Sequence, residues 1–173
     1  NPTITLKTNK GNIVVELFLD KTPKTAGNFI ELAQKGFFDG TKFHRVIKGF
    51  VIQGGDPNSK SDDKISYGRG GPGYNIEDEF VSGLSNIRGT LSMANTGYPN
   101  TGGSQFFINL ADNVSLDFDK PPETSRHPVF GKVIFGMEVV DAIVQVQVDQ
   151  MGIPVEAVII ESAVVKNLPI VLH

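Results

Sequence analysis

Cysteine is absent from this chain of 173 residues, which excludes disulfide bridges and thiol chemistry and leaves both reducing and oxidising compartments open. Histidine is scarce: His44, His127 and His173 stand far apart with no metal-ligand spacing, so neither a metal nor another cofactor is expected. No serine sits in a nucleophile elbow. Basic residues number 16 against 19 acidic ones, a net charge of -3 that argues against nucleic-acid binding. No apolar run approaches the roughly 20 residues of a membrane-spanning helix, and the opening NPTITLKTNK lacks the apolar core of a signal peptide, so no membrane association is expected. The cytoplasm is the default compartment, with a periplasmic or secreted location left open because the first residue is not methionine. There is no internal repeat and no linker, and 39% hydrophobic residues suffice for one core. A single domain over 1–173, acting as a monomer, is the expectation.

What is present is a series of short strands. Thr3 to Thr8 alternates with Ile4 and Leu6 on one face, and after Asn9-Lys10-Gly11-Asn12 a second run aligns Ile13, Val15, Leu17 and Leu19, which reads as an antiparallel hairpin. Thr22 can cap a helix that starts at Pro23, repeats Ala26, Phe29, Ile30 and Ala33 at helical spacing, and ends at Gly36. Val129 to Phe135 reads as a strand, Met137 to Val144 as a short helix, and Ala157 to Val165 as a last strand able to pair with the first. Pro57 to Gly73 reads as a polar surface excursion. Its GRGGPG run has the letters of a dinucleotide-binding loop but neither follows a buried strand nor opens a helix, so nucleotide binding is not expected.

Two stretches stand apart. In FHRVIKGFVIQGGD, Phe43 to Asp56, runs of β-branched and aromatic residues flank a tight connection at Lys48-Gly49, so Arg45 and Gln53 lie on paired strands. Alternation puts Phe43 and Arg45 on one face. A guanidinium among such neighbours is either functional or a surface arginine whose stem covers apolar area. In GTLSMANTGYPNTGGSQFFINL, Gly89 to Leu110, two strand-like runs flank a loop of small residues. Asn95 and Gln105 there are either ordinary loop and edge residues or amides that, with nearby backbone, bind a peptide chain.

With both stretches in view, the sequence resembles the cyclophilins, a family of peptidyl-prolyl cis-trans isomerases, and the likeness extends through KTPKTAGNFIELA, HPVFGKVIFGMEVVDAI and GGPGYNIEDEF, the last similar to the prokaryotic type. The resemblance implies a mainly β fold, a closed eight-stranded antiparallel β-barrel with two capping α-helices. It implies Arg45 as the catalytic residue, an apolar proline pocket of Phe50, Val51, Phe107 and Leu116, and Gln53 orienting Arg45. Ala94 and Asn95 are then the residues that hold substrate backbone, with Gln105 beside them and His127 at the rim. The partners implied are proline-containing peptides and unfolded or folding proteins. A proline-peptide binding chaperone or scaffold with incidental catalysis is the alternative. Two positions depart from the family pattern: Val51 replaces the usual methionine, and Ser115 stands where many members carry tryptophan or phenylalanine, so weak cyclosporin binding is expected.

Overall fold

The computed structural model describes residues 1–169. Strands β1 (Thr3–Thr8) and β2 (Gly11–Leu17) form the expected amino-terminal hairpin, followed by helix α1 (Pro23–Gln34). Then come β3 (Arg45–Ile47), β4 (Val51–Gly54), β5 (Thr90–Met93), β6 (Phe106–Asn109) and β7 (Val129–Phe135), followed by helix α2 (Met137–Val144) and β8 (Ile160–Lys166). All eight strands lie in one antiparallel sheet of order β3-β4-β6-β5-β7-β2-β1-β8. His173 lies outside the described residues.

The closed barrel is not what forms. The sheet curls strongly but ends at β3 and β8, which are not paired with each other. A three-residue β3 offers too short an edge for a ladder, and the seam is bridged by loop backbone instead. The amide of Phe43 donates to Val158 O at 2.9 Å, Gly40 N to Ile160 O at 2.8 Å and Ile160 N to Thr41 O at 2.8 Å, around one isolated bridge between Lys42 and Ile159.

Alternation sorts side chains between two faces of this sheet. Ile4, Leu6, Ile13, Val15, Val46, Ile52, Leu91, Phe106 and Ile108 turn inward to the main core. Helix α1 packs against β7 and β8, and α2 against β2 and β3. Phe29 on α1 is the centre of the aromatic packing, with ring centroids 4.6 Å from Phe38, 5.1 Å and edge-on from Phe106, and 5.3 Å from Phe130.

Thr22 does precede α1, yet its hydroxyl donates back to Phe18 O at 2.8 Å and does not cap the helix. The cap comes from Glu79, far along the chain, whose carboxylate accepts from the backbone N–H groups of Lys24 and Thr25 and from the Thr25 hydroxyl. The polar excursion after β4 is also anchored more firmly than its composition suggests. Asp56 and Ser59 are fully buried, the Asp56 carboxylate accepts from the amides of Asn58 and Gly68, and Ser59 Oγ accepts from Lys42 N. A Cβ on Gly70 would stand 2.1 Å from Asp56 Oδ1, so glycine is required for this close approach.

Phe106→Ala removes a fully buried ring that also meets Phe38 and Phe43. Urea titration should show a loss of about 3–5 kcal/mol.

Candidate active site

The β3–β4 hairpin turns through Lys48, Gly49 and Phe50, with Phe50 N donating to Ile47 O at 3.0 Å and Gly49 at φ +74°. Its register puts Arg45 opposite Gln53, and β6 and β5 extend the row by pairing Gln53 with Phe107 and Phe107 with Ser92. Cross-strand partners share a face, so Arg45, Gln53, Phe107 and Ser92 line the outer side of the sheet. Phe43 is not on that side. It lies before β3 begins, in an irregular stretch, and packs in the core against Phe106, whereas Arg45 is exposed.

On the outer face Val51, Phe107 and Leu116 form a second apolar cluster, separate from the main core, with Phe50 and Ala94 packed against it. A cavity of about 270 Å³ opens above it. Arg45, Phe50, Val51, Gln53, Ala94, Asn95, Phe107, Leu116 and His127 all line this cavity, and so do Gly97 and Thr124, which sequence reasoning missed. Gln105 lies just beyond, accepting from Gln53 Nε2 at 2.9 Å and donating to Gly70 O at 2.9 Å. It borders a larger hollow walled by the glycine-rich loop Gly68 to Gly73.

Two amide side chains at the cavity have partners within the protein. Gln53 spends its amide donor on Gln105, and among the described residues no hydrogen bond or ion pair ties down the Arg45 guanidinium. The side chain of Asn95 is also committed, its Nδ2 donating to Arg126 O at 2.8 Å and its Oδ1 accepting from Gly97 N at 3.0 Å. The backbone N–H and C=O of Asn95, a residue that lines the cavity, take no partner among the described residues.

Comparison with known proteins places the whole chain in a family. The family model described as "Cyclophilin type peptidyl-prolyl cis-trans isomerase/CLD" matches residues 3–165. The chain belongs to the cyclophilin-type peptidyl-prolyl cis-trans isomerases. It is 41% identical over 169 residues to peptidyl-prolyl cis-trans isomerase B of Escherichia coli (strain K12), covering 95% of this chain and 99% of that one. Against peptidyl-prolyl cis-trans isomerase-like 3 of Dictyostelium discoideum it is 42% identical over 171 residues, 96% of this chain and 97% of the other. A crystal structure of a Cryptosporidium parvum cyclophilin type peptidyl-prolyl cis-trans isomerase, in the presence of the dipeptide Ala-Pro, superposes with a TM-score of 0.84 at 34% identity over 96% of this chain and 99% of that one. The activity is therefore isomerisation of peptidyl-prolyl bonds, and the protein is a rotamase.

Beneath this cyclophilin's pocket lies a buried amide network that the sequence did not announce. Asn109 Nδ2 donates to Asn86 Oδ1 at 3.1 Å and to Thr90 Oγ1 at 3.0 Å, and Ser92 Oγ donates to Asn86 Oδ1 at 2.6 Å. Asn113 Nδ2 donates to Asn109 Oδ1 and to Phe50 O, each at 2.9 Å, which fixes the hairpin tip that carries Phe50. Asp117 closes the network by accepting from the Asn86 amide at 2.9 Å and the Asn86 backbone N–H at 2.8 Å. Burial of Asp117 disfavours its charge, but the hydrogen bonds from Ser85 and Asn86 outweigh that penalty and hold its pKa below the usual carboxylate value.

At the rim His127 meets the Phe107 ring edge-on, centroids 5.2 Å apart, and Nδ1 lies 2.9 Å from Met93 O. A carbonyl only accepts, so the proton sits on Nδ1, and Nε2 is left as an acceptor. The 3.4 Å approach of Asn95 Nδ2 to Nδ1 sets donor against donor; that amide's real partner is Arg126 O. Burial lowers the His127 pKa, against the opposing pull of the Met93 carbonyl and Asp78. Burial likewise lowers that of His44, whose Nδ1 has no partner. Among the described residues no group of three or more His, Asp or Glu side chains could hold a metal ion.

Both histidines resist protonation in the folded state more than in the unfolded chain. Their contribution to stability is thus complete above the ordinary histidine value near 6.5 and is lost as pH falls below it. The urea midpoint should fall between pH 7.5 and 5.5, before carboxylates titrate, and His127→Gln should reduce that fall. A midpoint independent of pH over this range would contradict the assigned burial.

Proposed function

We propose that the prolyl ring of the substrate sits in the cavity over Val51, Phe107 and Leu116, with Phe50 at its edge, while Arg45 stabilises the twisted amide. The observation that supports this reading is the isolated apolar cluster on the outer face, with an unpaired guanidinium standing over it. An apolar cluster on the outer face that opens into a cavity is suited to receive an apolar ring.

Rotation about the bond must overcome a barrier near 18–20 kcal/mol set by amide resonance, and no bond is broken. The site needs only to bind the twisted amide more tightly than either planar isomer. A turnover of about 10³ per second against about 10⁻² uncatalysed corresponds to roughly 7 kcal/mol of differential stabilisation. One charged donor supplies about 3–4 kcal/mol of this, and the pocket and the orientation of the chain supply the rest. The freely placed Arg45 fork donates to substrate as the carbonyl turns, and the Asn95 backbone aligns the peptide by main-chain hydrogen bonds. His127 Nε2 accepts at the rim. Clients of this site are proline-containing peptides and folding proteins.

Arg45→Ala should lower kcat/KM on an X-Pro peptide by about 10²–10³-fold with the thermal midpoint unchanged, and Arg45→Lys should restore little of it. A loss under about threefold in a protease-coupled assay would overturn the role.

Ser115 bears on cyclosporin. It is exposed on the 3-10 turn Val114–Leu116, one residue from the pocket wall at Leu116. An indole at this place, as the family resemblance implies for strong binders, covers about 100 Å² more of the drug, worth about 2.5 kcal/mol, and its N–H donor adds about 1. Calorimetry should find cyclosporin binding several hundredfold weaker than for tryptophan-bearing relatives, about two to three decades, and Ser115→Trp should recover at least about tenfold.

A further inference from the structure

Beside the proline cavity lies a separate hollow of about 290 Å³ with predominantly apolar walls. Phe80, Tyr98 and Pro99 line it together with Glu123, Thr124 and Arg126 from the long segment that precedes His127. Asn95, Gly97 and Thr124 are common to both cavities, so the two share a wall. Its framework is held in place. Phe80 stacks on Phe118 at 5.3 Å and 19°, Asp78 N donates to Asn100 Oδ1 at 2.8 Å while Asn100 N donates to the Asp78 carboxylate at 2.9 Å, and Arg126 O is fixed by the Asn95 amide.

Two side chains on this frame keep polar atoms that make no hydrogen bond among the described residues. Tyr98 is 73% exposed, a large aromatic residue held in water beside the cavity. Arg126 has a buried Nε with no hydrogen-bond partner, and its guanidinium comes only within 3.7 Å of the exposed Glu123 carboxylate.

We propose that this hollow receives an aromatic side chain flanking the proline of the bound peptide, with Tyr98 and Arg126 on its ring, an inference that rests on the proline-site reading above. The shared wall makes the occupant a part of the same peptide. Apolar walls disfavour a charged side chain, and a guanidinium lying against a ring face gains an attraction that an aliphatic side chain cannot return. The hollow thereby sets sequence preference around the isomerised bond.

The test uses the whole chain with an alanine-flanked X-Pro peptide and with versions carrying phenylalanine or cyclohexylalanine at one flanking position at a time. Binding is followed by calorimetry and isomer exchange by NMR. Phenylalanine at one position should bind about tenfold more tightly than alanine, with cyclohexylalanine between them. Tyr98→Ser should reduce the phenylalanine-to-alanine ratio below about threefold, and Arg126→Gln should remove the preference of phenylalanine over cyclohexylalanine. Equal binding of the alanine and phenylalanine peptides at every position, or a ratio unmoved by Tyr98→Ser, would overturn the proposal while Arg45→Ala still slows exchange on both. Exchange that Arg45→Ala leaves at the parent rate would instead overturn the proline-site reading beneath it.

Discussion

Phe106 and Phe107 are neighbours on β6, and the pleat of a strand obliges neighbours to face opposite ways. One ring therefore enters the main core against Phe29, and the other joins the apolar cluster beneath the outer cavity. The same division runs through β4, where Ile52 is core and Val51 is pocket. A slip of one residue between β4 and β6 would exchange the two sets and put core rings in the cavity and pocket residues in the core. Folding and function thus depend on one register, and the tightly packed aromatic group around Phe29 enforces it.

The outer face of the sheet carries a second constraint. It is covered there by an irregular segment, and irregular backbone brings polar groups that must be satisfied once buried. Asn86, Asn109, Asn113 and Asp117 meet that demand by bonding one another and the backbone of the hairpin tip. The network therefore holds the cover to the sheet and sets the position of Phe50 and Leu116 at the same time. A partly satisfied version would be worse than none, which is why every amide in it finds a partner.

Local periodicity made much of the fold legible. The amino-terminal hairpin, the strand Val129–Phe135 and the helix Met137–Val144 are where alternation and helical spacing put them. Family resemblance located the residues that gather at the cavity, Arg45, Phe107 and His127 among them, which no local pattern could do because they come from three distant stretches. The failures share a cause in long-range partners. Thr22 looked like a cap because the true one, Glu79, lies 54 residues from the Thr25 amide it binds. The partners of the Asn95 and Gln105 amides, Arg126 and Gly70, lie 31 and 35 residues away and are likewise invisible to a local pattern. Closure of the barrel failed for a local reason that pattern reading overlooked: a run that scores as strand from Phe43 is paired only from Arg45.

The hydrogen bonds of Asn113 reach beyond the pocket. Asn113-Val114-Ser115 spells an acceptor sequence for N-linked glycans, yet both bonds that pin the hairpin tip and the Asn109 amide leave from the one nitrogen a sugar would occupy. In the folded protein that nitrogen is engaged in both bonds. On a nascent chain it is not, and a glycan added there would displace a donor the network requires. Production through a eukaryotic secretory route would therefore set modification in competition with folding, whereas a host without that machinery would leave the network free to form.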